Sequence, residues 1–280
     1  MDLTSVKVIN EIKQKFGFEF KKGLGQNFLT DKRVLEEIAE AAKPGSGVLE
    51  IGPGFGVLTK ELSENFDKVV SIEIDNRLME VLDYTLADCD NVKIINEDVM
   101  KCDMKGIIER EFGGERISVA ANLPYYITTP IITSLIEQRL NISCLVVMIQ
   151  KEVAQRLAAE PGTKDYGAIS VLCEYFTEPE IITTVSAGKF VPPPKVDSAV
   201  IRLKMRETPR VKVSDEAIFF RTVKAAFAQR RKTLLNCLSS AFPYDKAEIS
   251  KRMLSAGIEP NRRGETLSVE EFAALSEVLG

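Results

Sequence analysis

The stretch that most constrains the fold of this chain is residues 48–62. A mostly apolar run, residues 48–51, leads directly into Gly52-Pro53-Gly54-Phe55-Gly56 and then into leucines at helical spacing. A buried strand that enters a glycine-rich turn and then a helix is the first unit of an α/β fold with a parallel sheet, and its turn lets a ligand approach the backbone closely. The glycine spacing is not that of the dinucleotide motif, so it does not identify the ligand by itself.

Glu50 comes just before this turn and limits what the ligand can be. A carboxylate beside the turn would repel a pyrophosphate, whereas it suits a ligand with a cationic centre or an amine. We therefore expect Glu50 to act on such a ligand. An NAD-dependent oxidoreductase is disfavoured both by this acid and by the absence of a histidine that could transfer a proton.

Two later strand-like runs also end in acidic residues. Residues 68–74 carry Glu73, 19 residues after Gly54, where such folds place a carboxylate on ribose hydroxyls. Residues 92–96 are followed by a pair of acids, of which Asp98 can accept a hydrogen bond from an adenine amino group. Asp98 alone has a plain alternative as a solvated loop residue, but the three strand ends together predict a nucleoside site with a cationic group. S-adenosylmethionine fits that description better than NAD or ATP, and the chain has no Walker lysine pattern.

A fourth strand-like run, residues 117–120, leads into the motif Asn-Leu-Pro-Tyr-Tyr at residues 122–126. Pro124 ends the strand, and the Asn122 amide offers one acceptor atom and two donor hydrogens. The tyrosines offer flat apolar faces with polar tips. An ordinary turn is the alternative, but this set of side chains suits a planar, nitrogen-rich ring, and the residues upstream favour a site.

Composition excludes several kinds of chemistry. The chain contains no histidine, which excludes imidazole as a general base, as the partner of a serine or cysteine nucleophile, and as a metal ligand. Its five cysteines are scattered with no C-x-x-C pair, so reduced thiols and no metal site are expected. No apolar run approaches the ~18 residues of a membrane span, and the N-terminus has no signal-peptide pattern, so we expect a cytoplasmic protein.

The chain is predicted to form two domains. Residues 1–207 contain the alternating strands and helices, preceded by a helical N-terminal extension. Residues 181–185 and 199–205 are strand-like with no helix between them, so an antiparallel hairpin is expected to close the sheet edge. From residue 208 to residue 280 the apolar spacing is helical throughout, which predicts a small α-helical domain.

Two shorter signals concern the N-terminal part. Residues 21–29 contain two lysines, two glycines and a polar amide pair, and are expected to form an ordered loop near the ligand, with a basic linker as the alternative. Asp31 can cap the helix that follows, and Pro44-Gly45 should end it.

Charge is distributed unevenly along the chain. The net charge is −4, yet residues 202–232 hold ten Lys/Arg against three Asp/Glu. A basic segment in an acidic chain suggests contact with nucleic-acid phosphates. The proline-rich loop before it is stiff and can hold Phe190 and Lys195 in place. The candidate RNA-binding residues are Lys195, Arg202, Arg230, Arg231 and Lys232.

Four segments together resemble the rRNA adenine dimethyltransferase family, most closely its bacterial 16S rRNA members. They are residues 24–29, 50–56, 122–126 and 190–198, and the similarity extends over nearly the whole chain, including residues 150–156 and 231–234. The resemblance implies a seven-stranded Rossmann-like methyltransferase sheet of order 3-2-1-4-5-7-6 with strand 7 antiparallel. It also implies that residues 1–207 form an S-adenosylmethionine-binding methyltransferase domain and that residues 208–280 bind RNA.

The resemblance further implies a reaction, a substrate and site residues. Methyl groups would pass from S-adenosylmethionine to N6 of two adjacent adenosines in the 3′-terminal hairpin loop of 16S rRNA, within a 30S subunit or its precursor, with the enzyme acting as a monomer. The residues implied to contact the cofactor are Asn27, Leu29, Gly52, Glu73, Asp98 and Asn122. The residues implied to be catalytic are Asn122, Leu123, Pro124 and Tyr125, with Tyr125 and Phe190 stacking on the substrate base. Leu123 departs from the family's N-P-P-Y pattern, but only its backbone carbonyl is required.

Two alternatives remain. One is the sister class that dimethylates a 23S rRNA adenosine and gives macrolide resistance, against which the proline-rich loop and the C-terminal helices argue. The other is a non-catalytic ribosome-assembly or transcription factor that only binds S-adenosylmethionine, which the intact Asn122 and Tyr125 disfavour.

Overall fold

The structure is a computed structural model, and it describes residues 1–19, 26–43 and 45–280. Residues 21–25 of the loop predicted at residues 21–29, and Pro44 at the predicted helix end, lie outside the described residues. The helices and strands are α1 (Val6–Phe16), β1 (Phe28–Leu29), α2 (Lys32–Ala41), β2 (Gly47–Ile51), α3 (Val57–Asn65), β3 (Lys68–Glu73), α4 (Met79–Thr85), β4 (Val92–Asn96), α5 (Met104–Phe112), β5 (Ile117–Asn122), α6 (Thr128–Glu137), β6 (Ile142–Gln150), α7 (Lys151–Leu157), α8 (Ala168–Phe176), β7 (Thr177–Val185), β8 (Phe190–Val191), β9 (Ser198–Met205), α9 (Glu216–Phe227), α10 (Leu234–Ser239), α11 (Lys246–Ser255) and α12 (Val269–Leu279).

Seven strands form one mixed sheet in the order β4-β3-β2-β5-β6-β9-β7. Strands β2 to β6 pair in parallel, and β9 pairs antiparallel with β6. Counted within this sheet alone, the order is 3-2-1-4-5-7-6 with an antiparallel seventh strand, so the predicted fold is confirmed. The central strands are buried on both faces by helices, which is why they are almost continuously apolar.

The sheet topology fixes where a ligand can bind. From β2 the chain continues outward to β3 and β4, whereas β5, on the other side of β2, leads to β6. The connections that follow β2 and β5 therefore run in opposite directions along the sheet, and a crevice opens outside the carboxyl ends of these two strands. Gly52 follows β2 directly and Asn122 is the last residue of β5, so both lie at this crevice.

A two-stranded ribbon joins two segments that are far apart in sequence. Strand β1 pairs antiparallel with β8, with Phe28 opposite Val191 and Leu29 opposite Phe190. Next to the ribbon, Asp31 caps α2 by accepting from the Arg33 amide at 3.1 Å, as predicted, and its carboxylate pairs with Lys189 at 2.9 Å. These contacts attach the start of α2 to the segment that precedes β9.

The chain divides into two compact units. The first contains Met1–Ala154 and Glu180–Met205, and the second contains Gln155–Pro179 and Arg206–Gly280. The predicted domain boundary at residue 207 lies next to the start of the second part, but residues 155–179 were expected in the first domain. They belong to the second unit because Tyr175 on α8 packs its ring 4.8 Å from that of Phe219 on α9. No helix among the described residues is long and apolar enough to span a bilayer.

Candidate active site

A cavity lies at the carboxyl edge of the sheet, and its walls come from the ends of β2, β3, β4 and β5 together with the segment around β1. All six residues predicted to contact the cofactor line it, namely Asn27, Leu29, Gly52, Glu73, Asp98 and Asn122. Four of them were predicted at separate strand ends, which the sheet brings together. Asn27 and Leu29 were implied only by the family resemblance, and they lie at or next to β1.

The glycine turn after β2 leaves space beside the backbone. Gly52 has a φ of 72°, in the left-handed region that side chains other than glycine rarely adopt. Apart from residues 51–53 themselves, no described part of the protein lies within 4 Å of where a Cβ at Gly52 would stand, so that space is open to a ligand. Gly54 is constrained in the opposite way, because a Cβ there would approach the Phe28 ring to 2.7 Å.

Glu73 is held rigidly on the cavity wall. Its Oε2 accepts from the Gly54 amide at 3.3 Å and its Oε1 accepts from the Asp75 amide at 2.8 Å. Burial raises the pKa of Glu73, while these amide hydrogen bonds act in the opposite direction. Each oxygen keeps a second lone pair, so the carboxylate can still accept from two neighbouring hydroxyls of a ribose.

Glu50 has a different role from the one predicted. Its side chain is fully buried and is not part of the cavity wall. Oε2 accepts hydrogen bonds from Thr59 at 2.7 Å and from Ser71 at 2.6 Å, so the carboxyl group links β2 to α3 and β3. Burial raises its pKa to about 7. Glu50 therefore stabilises the glycine turn through buried hydrogen bonds. The expectation that it faces a cationic ligand is wrong.

Asp98 is anchored at the end of β4. Its Oδ1 accepts from the Met100 amide at 3.0 Å, and its Oδ2 lies 3.3 Å from Lys101 Nζ. These contacts orient the carboxylate on the cavity wall, next to the apolar side chain of Val99. An apolar side chain beside a fixed acceptor suits a purine ring with an exocyclic amine.

The Asn122 amide is oriented by a hydrogen bond across the cavity. Its Nδ2 donates to the backbone carbonyl of Asn27 at 3.0 Å. Because the nitrogen is used in this way, Oδ1 is left as an acceptor toward the cavity. The Leu123 amide donates to Met148 of β6 at 3.1 Å, and among the described residues no donor reaches the Leu123 carbonyl. Two acceptor oxygens therefore follow each other at the end of β5.

Tyr125 follows these acceptors and, like Leu123, is not among the residues that line the cavity. Its position is fixed at both ends. Its hydroxyl lies 2.7 Å from that of Ser198, the first residue of β9. Burial raises the pKa of the Tyr125 phenol. On the backbone side, the Pro124 carbonyl accepts from the Ile127 amide at 3.2 Å and from Thr128 Oγ1 at 3.1 Å, which forms the turn into α6.

Phe190 does not offer a free face to a base in this structure. Its side chain is only 3% exposed, belongs to the hydrophobic core and does not line the cavity. The reason is its pairing with Leu29 in the β1–β8 ribbon, which turns the ring into the core. The stacking role predicted for Phe190 is therefore not supported, and its segment reaches the site through Ser198 instead.

The predicted RNA-binding residues fall into two groups. Arg202, which belongs to the first group, forms an ion pair with Glu180. Two other arginines of the basic segment are also paired. Arg206 pairs with Glu178, and Arg210 pairs with Glu174 and Glu270. Much of the local positive charge counted along the sequence is thus balanced by carboxylates from elsewhere. The exposed group consists of Lys195 in the first unit and Arg230, Arg231 and Lys232 in the second.

Several wall residues were missed from the sequence. The main ones are Ile74, Val99, Ile127 and Met148, while Gln26 and Tyr126 also line the cavity and belong to segments predicted to lie near the ligand. Ile74 and Val99 each come one residue after a predicted acidic strand end, so an apolar residue following such an acid was a usable signal. Met148 lies inside an apolar strand, and nothing in its local sequence distinguishes it from the core.

The cavity fits S-adenosylmethionine, as judged from these residues. Open space beside Gly52 admits a close ligand, and Glu73 can accept from a ribose. Asp98 with Val99 can hold an adenine. Among the described residues, the wall contains no lysine or arginine that could hold a triphosphate.

Comparisons with known proteins agree with this geometry. The model of the family "Ribosomal RNA adenine dimethylase" matches residues 17–280. Ribosomal RNA small subunit methyltransferase A of Bacillus mycoides (strain KBAB4) is 51% identical over 284 residues, which cover 99% of this chain and 97% of that protein. The protein of the same name from Bacillus anthracis (strain A0248) gives the same identity and coverage.

Two solved structures are similar over most of the chain. A dimethyladenosine transferase from Plasmodium falciparum has a TM-score of 0.74 and 26% identity, covering 89% of this chain and 95% of that one. The 23S rRNA methyltransferase ErmE has a TM-score of 0.69 and 28% identity, covering 90% of this chain and 99% of that one. The resemblance inferred from the motifs is confirmed, and the chain belongs to the ribosomal RNA adenine dimethylase family.

Proposed function

We propose that this protein transfers methyl groups from S-adenosylmethionine to N6 of two adjacent adenosines in the 3′-terminal hairpin loop of 16S rRNA. It would act in the cytoplasm, as a monomer, on the 30S subunit or its precursor. The observation that carries the proposal is the orientation of Asn122, whose nitrogen is bound by Asn27 and whose oxygen is free at the cavity. An amino group is the substrate that two adjacent acceptors select.

The acceptors change the reactivity of the adenine amine. The N6 lone pair is delocalised into the ring, so the amine is a poor nucleophile. When Asn122 Oδ1 and the Leu123 carbonyl accept the two N6 hydrogens, the nitrogen is drawn toward a tetrahedral geometry in which its lone pair can attack. The fixed bonds from Asn27 to Asn122 and from Met148 to Leu123 preorganise both acceptors.

Tyr125 would hold the splayed adenine by stacking, with its ring fixed through Ser198. Bound S-adenosylmethionine supplies a methyl group on a sulfonium, which is already a good leaving group. The proton on the methylated nitrogen is acidic and can pass to water. This agrees with a chain that contains no histidine.

RNA would be held outside the cavity by exposed cations. Lys195 follows the proline-rich loop, and Arg230, Arg231 and Lys232 lie between α9 and α10. Cations of this kind bind phosphates without reading sequence, so they would position a structured RNA rather than select the adenosine. Arg202 is a weaker candidate because Glu180 already pairs with it.

A 23S rRNA substrate is the rival proposal. Its support is the similarity to the 23S rRNA methyltransferase ErmE, at 28% identity. The relatives named ribosomal RNA small subunit methyltransferase A are 51% identical over 99% of the chain, which favours the small subunit.

The experiment that tests the substrate uses labelled S-adenosylmethionine with 30S subunits that lack these methyl groups, and with protein-free 23S rRNA in parallel. We expect label at N6 of two adjacent adenosines in 16S rRNA and none in 23S rRNA. Label in 23S rRNA, or at another atom of 16S rRNA, would reject the proposal.

Replacing Asn122 tests the mechanism. In Asn122→Ala the N6 hydrogens lose one acceptor, and the Asn27 carbonyl loses its donor. We expect kcat to fall at least about 100-fold, since misplacement of the reacting amine by ~1 Å has effects of that size. Affinity for 30S subunits should stay within about twofold. The exposed Asn10→Ala on α1 is the matched control and should behave as wild type. Near-normal turnover by Asn122→Ala would refute the mechanism.

A further inference from the structure

Two consecutive tyrosines at the end of β5 have opposite environments. Tyr125 is half-buried and its hydroxyl is bonded to Ser198. Tyr126 is 61% exposed, and within the described part of the chain no hydrogen bond, ion pair or ring contact of its side chain is found. Tyr126 nevertheless lines the same cavity as Asn122 and Pro124. Its ring is therefore free at the mouth of the site.

The backbone that carries Tyr126 is fixed, although the ring is free. The Ile127 amide donates to the Pro124 carbonyl at 3.2 Å, which closes a turn around residues 124–127. Thr128 Oγ1 donates to the same carbonyl, and the Ile131 amide donates to the Ile127 carbonyl as α6 begins. These bonds fix the position of the Tyr126 backbone next to the cavity. A fixed backbone with a free aromatic face is the arrangement used by stacking platforms for nucleic-acid bases.

A second exposed apolar side chain also lines this cavity. Ile74 follows β3, lines the cavity and is 56% exposed. An isolated exposed apolar side chain needs no explanation, but two large ones on the rim of one cavity mark a surface that a flat apolar group can cover.

The proposed reaction creates such a base. An adenosine can reach Asn122 only when it leaves its stack, and this exposes the face of the neighbouring base. Tyr126 is one residue beyond Tyr125, and consecutive Cα atoms are about 3.8 Å apart. A ring at Tyr126 is thus within reach of the nucleotide next to the one that Tyr125 holds.

We propose that Tyr126 is a positioning residue that stacks on the base adjacent to the adenosine undergoing methylation, and so stabilises the splayed RNA chain. This inference rests on the proposed function, since it requires an unpaired RNA strand at the cavity. Tyr126 would then form a second subsite for a base, which binds an unpaired purine by stacking on its π-face and not by hydrogen bonds to its edge.

The test compares Tyr126→Ala and Tyr126→Phe with wild type in the methylation of 30S subunits that lack these methyl groups. We expect Tyr126→Ala to raise the KM for 30S subunits about tenfold to 100-fold, because removal of one base–aromatic stack has an effect of that size. Tyr126→Phe should keep the wild-type KM, since the hydroxyl has no partner within the described residues and the ring is retained. Affinity for S-adenosylhomocysteine, measured by calorimetry, should be the same in all three proteins.

The matched control is Tyr84→Ala. Tyr84 is also an exposed tyrosine, but its ring already contacts Phe16 and Lys15 and it lies away from the cavity. Its KM for 30S subunits should not change. An unchanged KM in Tyr126→Ala overturns the inference. A decrease in S-adenosylhomocysteine affinity that accounts for the decrease in activity also overturns it, because Tyr126 would then serve the cofactor.

A second measurement identifies the base. The chain contains no tryptophan, so Tyr126→Trp introduces a single indole fluorophore. A synthetic RNA hairpin with two adjacent adenosines in its loop should quench this fluorophore, and the same hairpin with an abasic site at the neighbour of the target adenosine should quench it much less. Equal quenching by both hairpins, or no quenching by either, contradicts the assignment. Methylation of 30S subunits by the wild type is scored separately, so failure of the proposed function would be recognised independently.

Discussion

At the scale of single residues, Glu50 and Asn122 show that similar positions at strand ends can serve different purposes. Both are polar residues at the carboxyl edge of central strands. Asn122 uses one atom to bind the protein and leaves the other at the cavity, whereas Glu50 is fully buried and bonds Thr59 and Ser71 through one oxygen. Its other oxygen has no hydrogen-bond partner within the described part of the chain. A proton on that oxygen removes the cost of burying a charge.

Glu50→Gln should therefore change how stability depends on pH. The pKa of Glu50 is raised to about 7 in the folded protein from 4.5, so between these values the folded state holds a proton that the unfolded state has released. Stability must then decrease as pH rises through this window. Glutamine is neutral throughout, so the wild type should lose stability relative to Glu50→Gln between about pH 4.5 and 7. Urea unfolding of both proteins at several pH values measures this difference, and a difference independent of pH would contradict the assignment.

At the scale of elements, the β1–β8 ribbon matters more than its length suggests. It has only two residues in each strand, yet it joins the segment before α2 to the segment before β9. Ser198, which fixes Tyr125, begins β9, and Asn27, which orients Asn122, precedes β1. The two parts of the site therefore depend on one small antiparallel pairing, held at its end by Asp31 and Lys189.

We expect Asp31→Ala to destabilise the protein by about 1–2 kcal/mol, because it removes the N-cap of α2 together with the ion pair. The hydrogen bond from Lys189 is the main cause that lowers the pKa of Asp31 from 3.8, so this stabilisation is present at neutral pH and is lost as pH falls below 3.8. Asp103→Ala is the matched control, since Asp103 caps α5 through the Gly106 amide at 3.0 Å and no ion pair of Asp103 is found among the described residues. Urea unfolding should show a larger decrease in stability for Asp31→Ala. An equal decrease would mean that the ion pair contributes nothing.

At the scale of the whole molecule, charge counted along the sequence differs from charge arranged in space. Residues 202–232 hold ten cations against three acids, which suggested one continuous basic surface. The structure pairs Arg202, Arg206 and Arg210 with carboxylates. Arg231 and Lys232 are exposed, and no carboxylate within the described residues lies at ion-pair distance from them. Only unpaired cations should exchange counterions for phosphates when RNA binds.

The double variant Arg231→Ala/Lys232→Ala should weaken binding to 30S subunits and lower the slope of log affinity against log salt by about 2, or about 1 for each phosphate that the variant no longer binds. The control is Arg202→Ala/Glu180→Ala, which removes a paired cation together with its partner. Its slope should remain at the wild-type value. Binding titrations at several salt concentrations give both slopes, and a lowered slope in the control would restore Arg202 as a phosphate-binding residue.

The amino-acid sequence predicted the fold class and four of the cavity-lining residues, because their signals are local: an apolar run, a glycine turn, and a polar residue where a strand ends. The strand order and the cofactor contacts of Asn27 and Leu29 came from the family resemblance. The tertiary structure alone decided that Glu50 faces inward, that Phe190 is buried and that Arg202 is neutralised. It also decided that residues 155–179 pack with the C-terminal helices. Each of these depends on a partner distant along the chain, and burial and ion pairing are set by neighbours in space, which no local pattern specifies.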